Sequence, residues 1–310
     1  MLCRYTANAD RPETLKLLKD HLKGNLLLFV AAAIWGFAFV AQREGMTHLG
    51  PLAFNGIRFL LGAATVLVFI VLRQPLNSIF KQLSHPYMAL HGAMAGLVLF
   101  FASSFQQLGM IYTTAGNAGF ITSLYVIFVP LIGLMRGQAS GKGVWLGAFL
   151  AAAGLYLLSV AEGFSMQAGD LLVLVSAVFW AFHLIILSYI APQHDFRHIA
   201  FYQFLVTGML SLLLAFFFEG IRLEAVGFSW LPILYTGILS AGIGFTFQIA
   251  GQRRAKADHA ALILSLEAVF ALAGGYLLLG ETMSWKQLAG AALMLSGVVV
   301  AQWVMRDGCG

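Results

Sequence analysis

GNLLLFVAAAIWGFAFV (24–40) and GDLLVLVSAVFWAFHLI (169–185) decide the architecture of this chain. Each is a long apolar run, charged only at Asp170 near the start of the second, and the second repeats the first at a constant shift of 145 residues. Trp35 falls on Trp180 and Arg58 on Gln203 at that shift. Further on, FQQLGMIYTTAGNAGFITSLY (105–125) faces FQIAGQRRAKADHAALILSLE (247–267) at a shift of 142. Gln106 then falls on Gln248, Asn117 on His259, Ser123 on Ser265 and Tyr125 on Glu267. At a shift of 143, Gly147 and Gly154 fall on Gly290 and Gly297. The changes of shift sit in connecting segments, where insertions are tolerated.

Working outward, apolar windows lie at 25–42, 52–72, 87–109, 114–135, 143–160, 170–190, 199–218, 230–251, 257–279 and 286–304. Crossing ~30 Å of hydrocarbon takes ~20 predominantly apolar residues, so each window is long enough to span a bilayer. Lipid forces each span to be a helix, because every backbone N–H and C=O must find an internal partner. Composition agrees: the chain is 60% hydrophobic and only 10% charged, with mean hydropathy +0.85. Arg58 and Glu267 are the two plainly internal charges. Asp170 and Asp258 stand at helix starts, where the dipole favours an acid.

The expected architecture is an all-α integral membrane protein, with ten transmembrane helices as two inverted five-helix repeats. Residues 1–23 form an N-terminal segment, 24–160 the first repeat and 169–304 the second. Five is odd, so the second copy enters the membrane from the opposite side. Inverted repeats let one cavity open alternately to either face, which favours transport, although internal repeats also occur in channels.

The formal net charge of +5 does not imply nucleic acid. With the N-terminus cytoplasmic, 14 of the 18 Lys and Arg fall on the cytoplasmic side and three (Arg43, Arg222 and Lys286) on the other. The positive-inside rule then puts both termini in the cytoplasm of a plasma (inner) membrane protein. Cys3 and Cys309 offer neither a disulfide framework nor metal-ligand spacing. Residues 1–23 lack the apolar core of a cleavable signal peptide. Leu15, Leu18 and Leu22 among Lys16, Lys19 and Lys23 suggest a short amphipathic helix on the cytoplasmic leaflet, or else a disordered tail.

The carrying pieces of a family likeness are AAAIWGFAFV (31–40), FNGIRFLLG (54–62), TAGNAGFITSLYVIFVP (114–130) and ALILSLEAVFALAGGYLLLGE (261–281). With the Gly-rich tenth window, the chain resembles the drug/metabolite transporter superfamily, in particular proteins with two EamA-type domains. The resemblance implies ten helices, cytoplasmic termini, and export or exchange of small metabolites such as amino acids. That family often has Pro after the central Glu, whereas this chain has Ala268, which implies a weaker kink there.

Glu267 lies near the middle of its window. A charge there costs roughly 2.5–3.5 kcal/mol on the milder insertion scale, so it belongs in protein or a watery cavity. It can bind a substrate amine, exchange a proton, or hold helices together. Tyr125, Ile121 and Asn117 share one helix face at steps of four, as do Glu267, Ile263 and His259. Tyr125 and Glu267 are the expected central pair across the pseudo-two-fold axis. Gln106, Gln107 and Gln248 supply uncharged donors and acceptors. Trp35 and Trp180 sit mid-span, where an indole either stacks on substrate or fills the core. His183 shares the Trp180 face. His259 reads as interfacial. The expected substrate-binding set is therefore Glu267, Tyr125, Asn117, Gln106, Gln248, Trp35, Trp180 and His183. Arg58 can grip a carboxylate, but the structural role is the default.

Gly143, Gly147 and Ala151, with Gly154, Gly290 and Gly297, read as close-packing helix faces joining the fifth and tenth spans, or joining a homodimer. Pro130 and Pro232 mark candidate kinks. No zinc, Walker or nucleophile-elbow motif is present, so neither a cofactor, a metal nor enzymatic chemistry is expected. The expected partners are a small-molecule substrate and the bilayer, with proton coupling left open. An exporter of lipophilic cations is the alternative; a lipid-modifying enzyme using His259 and Asn117 is a remote one.

Overall fold

A computed structural model describes residues 11–75, 77, 85–113, 115–138, 140–160, 168–220, 222–279 and 284–307. Cys3, Cys309 and the Gly280–Glu281 end of the quoted motif lie outside these. Every element among the described residues is helical. In order they are α1 (Arg11–Gly45), α2 (Pro51–Arg73), α3 (Pro86–Met110), α4 (Ala115–Ser123), α5 (Tyr125–Met135), α6 (Lys142–Val160), α7 (Ala168–Ile190) and a 3-10 turn (Ala191–Gln193). Then follow α8 (Phe196–Phe218), α9 (Leu223–Phe228), α10 (Trp230–Leu234), a π-helical stretch (Tyr235–Phe245), α11 (Thr246–Gln252), α12 (Ala257–Leu264), α13 (Glu267–Leu279) and α14 (Trp285–Asp307).

Eight helical runs are long and apolar enough to cross a membrane: Lys19–Gly45, Pro51–Arg73, Pro86–Met110, Ala115–Met135, Ala168–Gln193, Phe196–Phe218, Trp230–Gln252 and Ala257–Leu278. The other two apolar helices, α6 and α14, pack along each other. Among the described residues no separate helix precedes the first span: α1 runs unbroken from Arg11 to Gly45. Gly24 does not interrupt it. A Cβ there would already touch Arg254 Cβ and Gly251 O at 3.3 Å, so tertiary packing holds the turn.

Caps explain the starts. Pro51 and Pro86 stand in the first turns of α2 and α3, where a missing N–H costs nothing. The Glu219 carboxylate accepts the free N–H groups of Leu52 and Ala53, both at 2.9 Å, and so ties the end of α8 to the start of α2. Asp195 caps α8, accepting Arg197 N–H at 2.9 Å. Asp170 lies buried in the first turn of α7 and accepts the Thr113 hydroxyl.

The main pairings of helices are unchanged when the two halves are exchanged. α1 packs on α13 and on the π stretch with α11; α7 packs on α4, α5 and α3. α2 packs on the π stretch, and α8 packs on α3. The pairs α2–α8 and α6–α14 map onto themselves. The glycines follow the same rule. A Cβ on Gly251 would lie 2.9 Å from Gly24 O, and one on Gly109 would lie 2.7 Å from Gly169 O. These are one contact made twice, because 24 and 169 correspond, as do 109 and 251. Between α6 and α14, a Cβ on Gly147 would meet Gly297 O at 2.7 Å. The small-residue seam thus joins these two helices.

Candidate functional site

Two helices break at corresponding places. α4 ends at Ser123 and α5 starts at Tyr125; α12 ends at Leu264 and α13 starts at Glu267. Around each break the backbone tightens to i→i−3 bonds: Leu124 N to Ile121 O at 3.1 Å, and Leu266 N to Ile263 O at 3.2 Å. The second break exists although Ala268 replaces the expected proline. The Ser265 hydroxyl donates back to Leu262 O at 2.9 Å, competing with the regular ladder. In the first, the interruption falls at Leu124, while Pro130 stays inside α5. Pro232 is followed by the π-helical stretch, a conformation that recurs at functional sites.

Each break presents one polar side chain at the start of the following half-helix. These are Tyr125 and Glu267, and they meet. Tyr125 Oη donates to Glu267 Oε1 at 3.0 Å, and Ser123 Oγ approaches the same oxygen at 3.4 Å. The N-terminus of α13 adds its positive dipole end to the carboxylate. Glu267 is 4% exposed, and among the described residues no cation pairs with it.

Glu267 and Tyr125 line a cavity of about 30 Å³, room for about two waters. One wall is aromatic. The ring centroids of Trp35 and Phe245 are 4.5 Å apart, and Trp180 stacks on Phe245 at 5.8 Å. Trp35 Nε1 donates to Ser240 O in the π stretch at 3.3 Å, and Gly244 leaves the room for that indole. The opposing polar groups are Gln42, Thr122 and Gln106, whose Nε2 donates to Thr122 Oγ1 at 2.9 Å. Arg58 also faces this space.

The structure therefore brings five of the expected residues to one cavity: Glu267, Tyr125, Gln106, Trp35 and Trp180. Three lie off it. His183 is fully buried beside the aromatic wall, with Nε2 3.0 Å from Gln203 Oε1. Gln248 is buried in α11, and Asn117 in α4, eight residues before Tyr125 and thus two turns from the break. Gln107 is buried away from the lining, and His259 is half-buried at the start of α12. Gln42, Ser240 and Phe245 join the lining without a sequence signal of their own: each is a residue type common in any bundle interior. Arg58 carried a signal, its charge, but its direction depends on a rotamer that spacing does not set.

Comparison with known proteins agrees with this architecture. The model of the EamA-like transporter family matches twice, at residues 22–160 and 167–302. The chain belongs to that family. An Archaeoglobus fulgidus protein named an uncharacterized transporter is 32% identical, the match covering 90% of this chain and 85% of that protein. A Salmonella typhimurium protein named a probable amino-acid metabolite efflux pump is 27% identical, covering 90% and 94%. A solved crystal structure shares the fold at TM-score 0.77 and 22% identity, over 92% of this chain and 98% of that one. This EamA-like protein is thus a multi-pass membrane transporter.

Proposed function

We propose that this transporter exports small organic metabolites, amino acids or related compounds, by alternating access. In this reading α6 and α14 also cross the bilayer, giving ten spans in two inverted repeats over 24–160 and 169–304, with both termini in the cytoplasm of a plasma (inner) membrane protein. The exchangeable helix pairing supports the inverted repeat, and the excess of Lys and Arg on one side supports the orientation. The observation that carries the reading is the cavity itself. Both halves build it, and at its centre Tyr125 and Glu267 meet from pseudo-equivalent helix breaks. Broken helices at the repeat interface are where secondary transporters bind substrate. Glu267, Tyr125, Gln106, Trp35 and Trp180 are the proposed substrate contacts. His183 packs edge-on against Trp180 and Phe245 and supports that wall, while Asn117 and Gln248 lie off the lining. Glu267 is the proposed site of proton coupling. The amino-acid class draws on the name of the Salmonella relative and on a lining that combines an acid, a guanidinium and aromatic rings. A lipophilic-cation exporter would use the same rings and Glu267, but Arg58 on the same cavity opposes a bare cation.

Uptake of labelled amino acids, amines and vitamins into proteoliposomes tests the reading, comparing wild type with Glu267→Gln, with and without a pH gradient. Gradient-driven uptake lost in the variant supports it. Gradient-insensitive uptake that survives in the variant removes Glu267 from coupling, and no vectorial uptake of any candidate removes the export reading.

A further inference from the structure

Resting on that transport reading, we propose that Arg58, oriented by Asn55, is the anion-binding residue of the cavity. The transported solute is then a zwitterion, with its carboxylate on Arg58 and its ammonium on Glu267.

The argument begins with what holds the guanidinium. Arg58 is buried, at 3% exposure, seven residues into α2. Its Nε and Nη2 both donate to Asn55 Oδ1, at 3.1 and 2.9 Å. The Asn55 amide is itself pinned: Nδ2 donates to Ser103 Oγ in α3 at 2.9 Å and to Ser211 Oγ in α8 at 3.1 Å. The Phe59 ring lies under the guanidinium, with Cζ 4.7 Å from its centroid. The direction of Arg58 is therefore set by three helices. Yet Asn55 is neutral. It takes two of the five N–H donors of a guanidinium and none of its charge. Among the described residues no carboxylate forms an ion pair with Arg58, although Glu267 faces the same small cavity.

A buried charge without an opposite partner is costly, and within a membrane it marks function by default. The fold does not require the charge. At the corresponding position of the other half stands Gln203, equally buried and uncharged, with Oε1 3.0 Å from His183 Nε2. What Arg58 adds over a glutamine is an oriented cation aimed at the cavity, and a planar fork suited to a carboxylate. Glu267 supplies the opposite charge on the same lining. A zwitterion satisfies both and leaves the loaded cavity electrically neutral. A monoanion leaves Glu267 unmatched, and a simple amine leaves Arg58 unmatched. The wall of Trp35, Trp180 and Phe245 would take an apolar or aromatic substituent.

The test uses three matched probes: phenylalanine, its amide, which lacks the carboxylate, and 3-phenylpropionate, which lacks the ammonium. Flux of each is measured in proteoliposomes carrying wild type, Arg58→Gln or Arg58→Lys, with the thermal midpoint of each protein as the folding control. Wild type should prefer the zwitterion over both analogues on the order of 10-fold or more, since a site built for a polar group rejects ligands lacking it. In Arg58→Gln the zwitterion-to-amide ratio should fall towards one, and Arg58→Lys should restore part of it. Equal wild-type flux of all three overturns the assignment and leaves the transport reading standing. So does an unchanged ratio in Arg58→Gln. If Arg58→Gln does not fold, the wild-type ratios decide alone. No flux and no thermal stabilisation by any probe overturns both readings.

Discussion

Gly154→Ala should loosen the seam between α6 and α14. The added Cβ would lie 2.5 Å from Gly290 O and 2.9 Å from Met294 N. Both are backbone atoms of α14, so no side chain can rotate out of the way. Ordinary contact begins near 3.4 Å, so the two helices must separate by about 0.9 Å at that level. A gap of 0.5–1 Å forfeits about a quarter to a half of each atom pair's attraction. In lipid that loss is not offset, because close packing is what joins helices there. Overpacking of this kind costs about 1–3 kcal/mol. Gly297→Ala places its Cβ 2.7 Å from Gly147 O and should cost less. Combined with Gly147→Ala it should cost less than the sum, because both widen one crossing. Gly227→Ala in α9 meets nothing within 4 Å and serves as the neutral reference. Thermal midpoints in detergent read the effect. Substrate affinity should not move, since neither α6 nor α14 contributes to the cavity lining. A Gly154→Ala midpoint equal to that of Gly227→Ala would refute the packing argument.

Three further outcomes follow from single contacts. Tyr125→Phe removes the hydroxyl that Glu267 accepts at 3.0 Å; it should cost about 1–3 kcal/mol and lower transport, and a variant matching wild type in both midpoint and flux would remove Tyr125 from the central pair. Glu219→Gln replaces an anion that accepts two N–H groups at the start of α2; it should cost about 1–2 kcal/mol in thermal or denaturant unfolding, and no loss would mean solvent already serves those groups. His194 lies with Nε2 2.7 Å from His91 Nδ1, and burial, then His91 and His85, lower its pKa. The folded protein therefore binds fewer protons than the unfolded chain below pH ~6.5. The stability from this shift should be full above that pH and fall as pH drops through the lowered pKa, and His91→Phe, which removes the second cause but not burial, should flatten the profile in part. An identical pH profile in the variant would exclude the pair.

The architecture was legible because lipid leaves the backbone so few choices. An apolar window long enough to cross must be helical, so the windows carried most of the helical bundle. The Tyr125–Glu267 meeting was legible too, because the two residues hold corresponding positions in the two halves. Less legible was anything set by local backbone geometry. The missing proline implies a weaker kink near Glu267, yet at Ser265–Leu266 a serine hydroxyl and i→i−3 bonds suffice to interrupt the helix. The π-helical stretch carries no pattern that separates it from an α-helix, and it is what turns Ser240 O towards Trp35. His183 shares a helix face with Trp180, but one partner, Gln203, keeps it from the cavity.

The repeat supplies the frame, and departures from it supply the chemistry. Ala38 lines the cavity, and its counterpart His183 is paired with Gln203, which is itself the counterpart of Arg58. In the second half that pair fills with two neutral side chains the ground that the first half gives to a small residue and a cation. At the helix breaks the asymmetry is reversed: the first half offers the neutral Tyr125 and the second the acidic Glu267. Each half thus contributes one charge, of opposite sign, from non-corresponding positions. Acids at both breaks would instead put two carboxyls at one meeting point, and neighbouring like charges disfavour each other's ionisation. Breaking the symmetry at these two places is what gives a two-fold frame a cavity with a direction, a cationic side and an anionic side between which a small solute can be oriented.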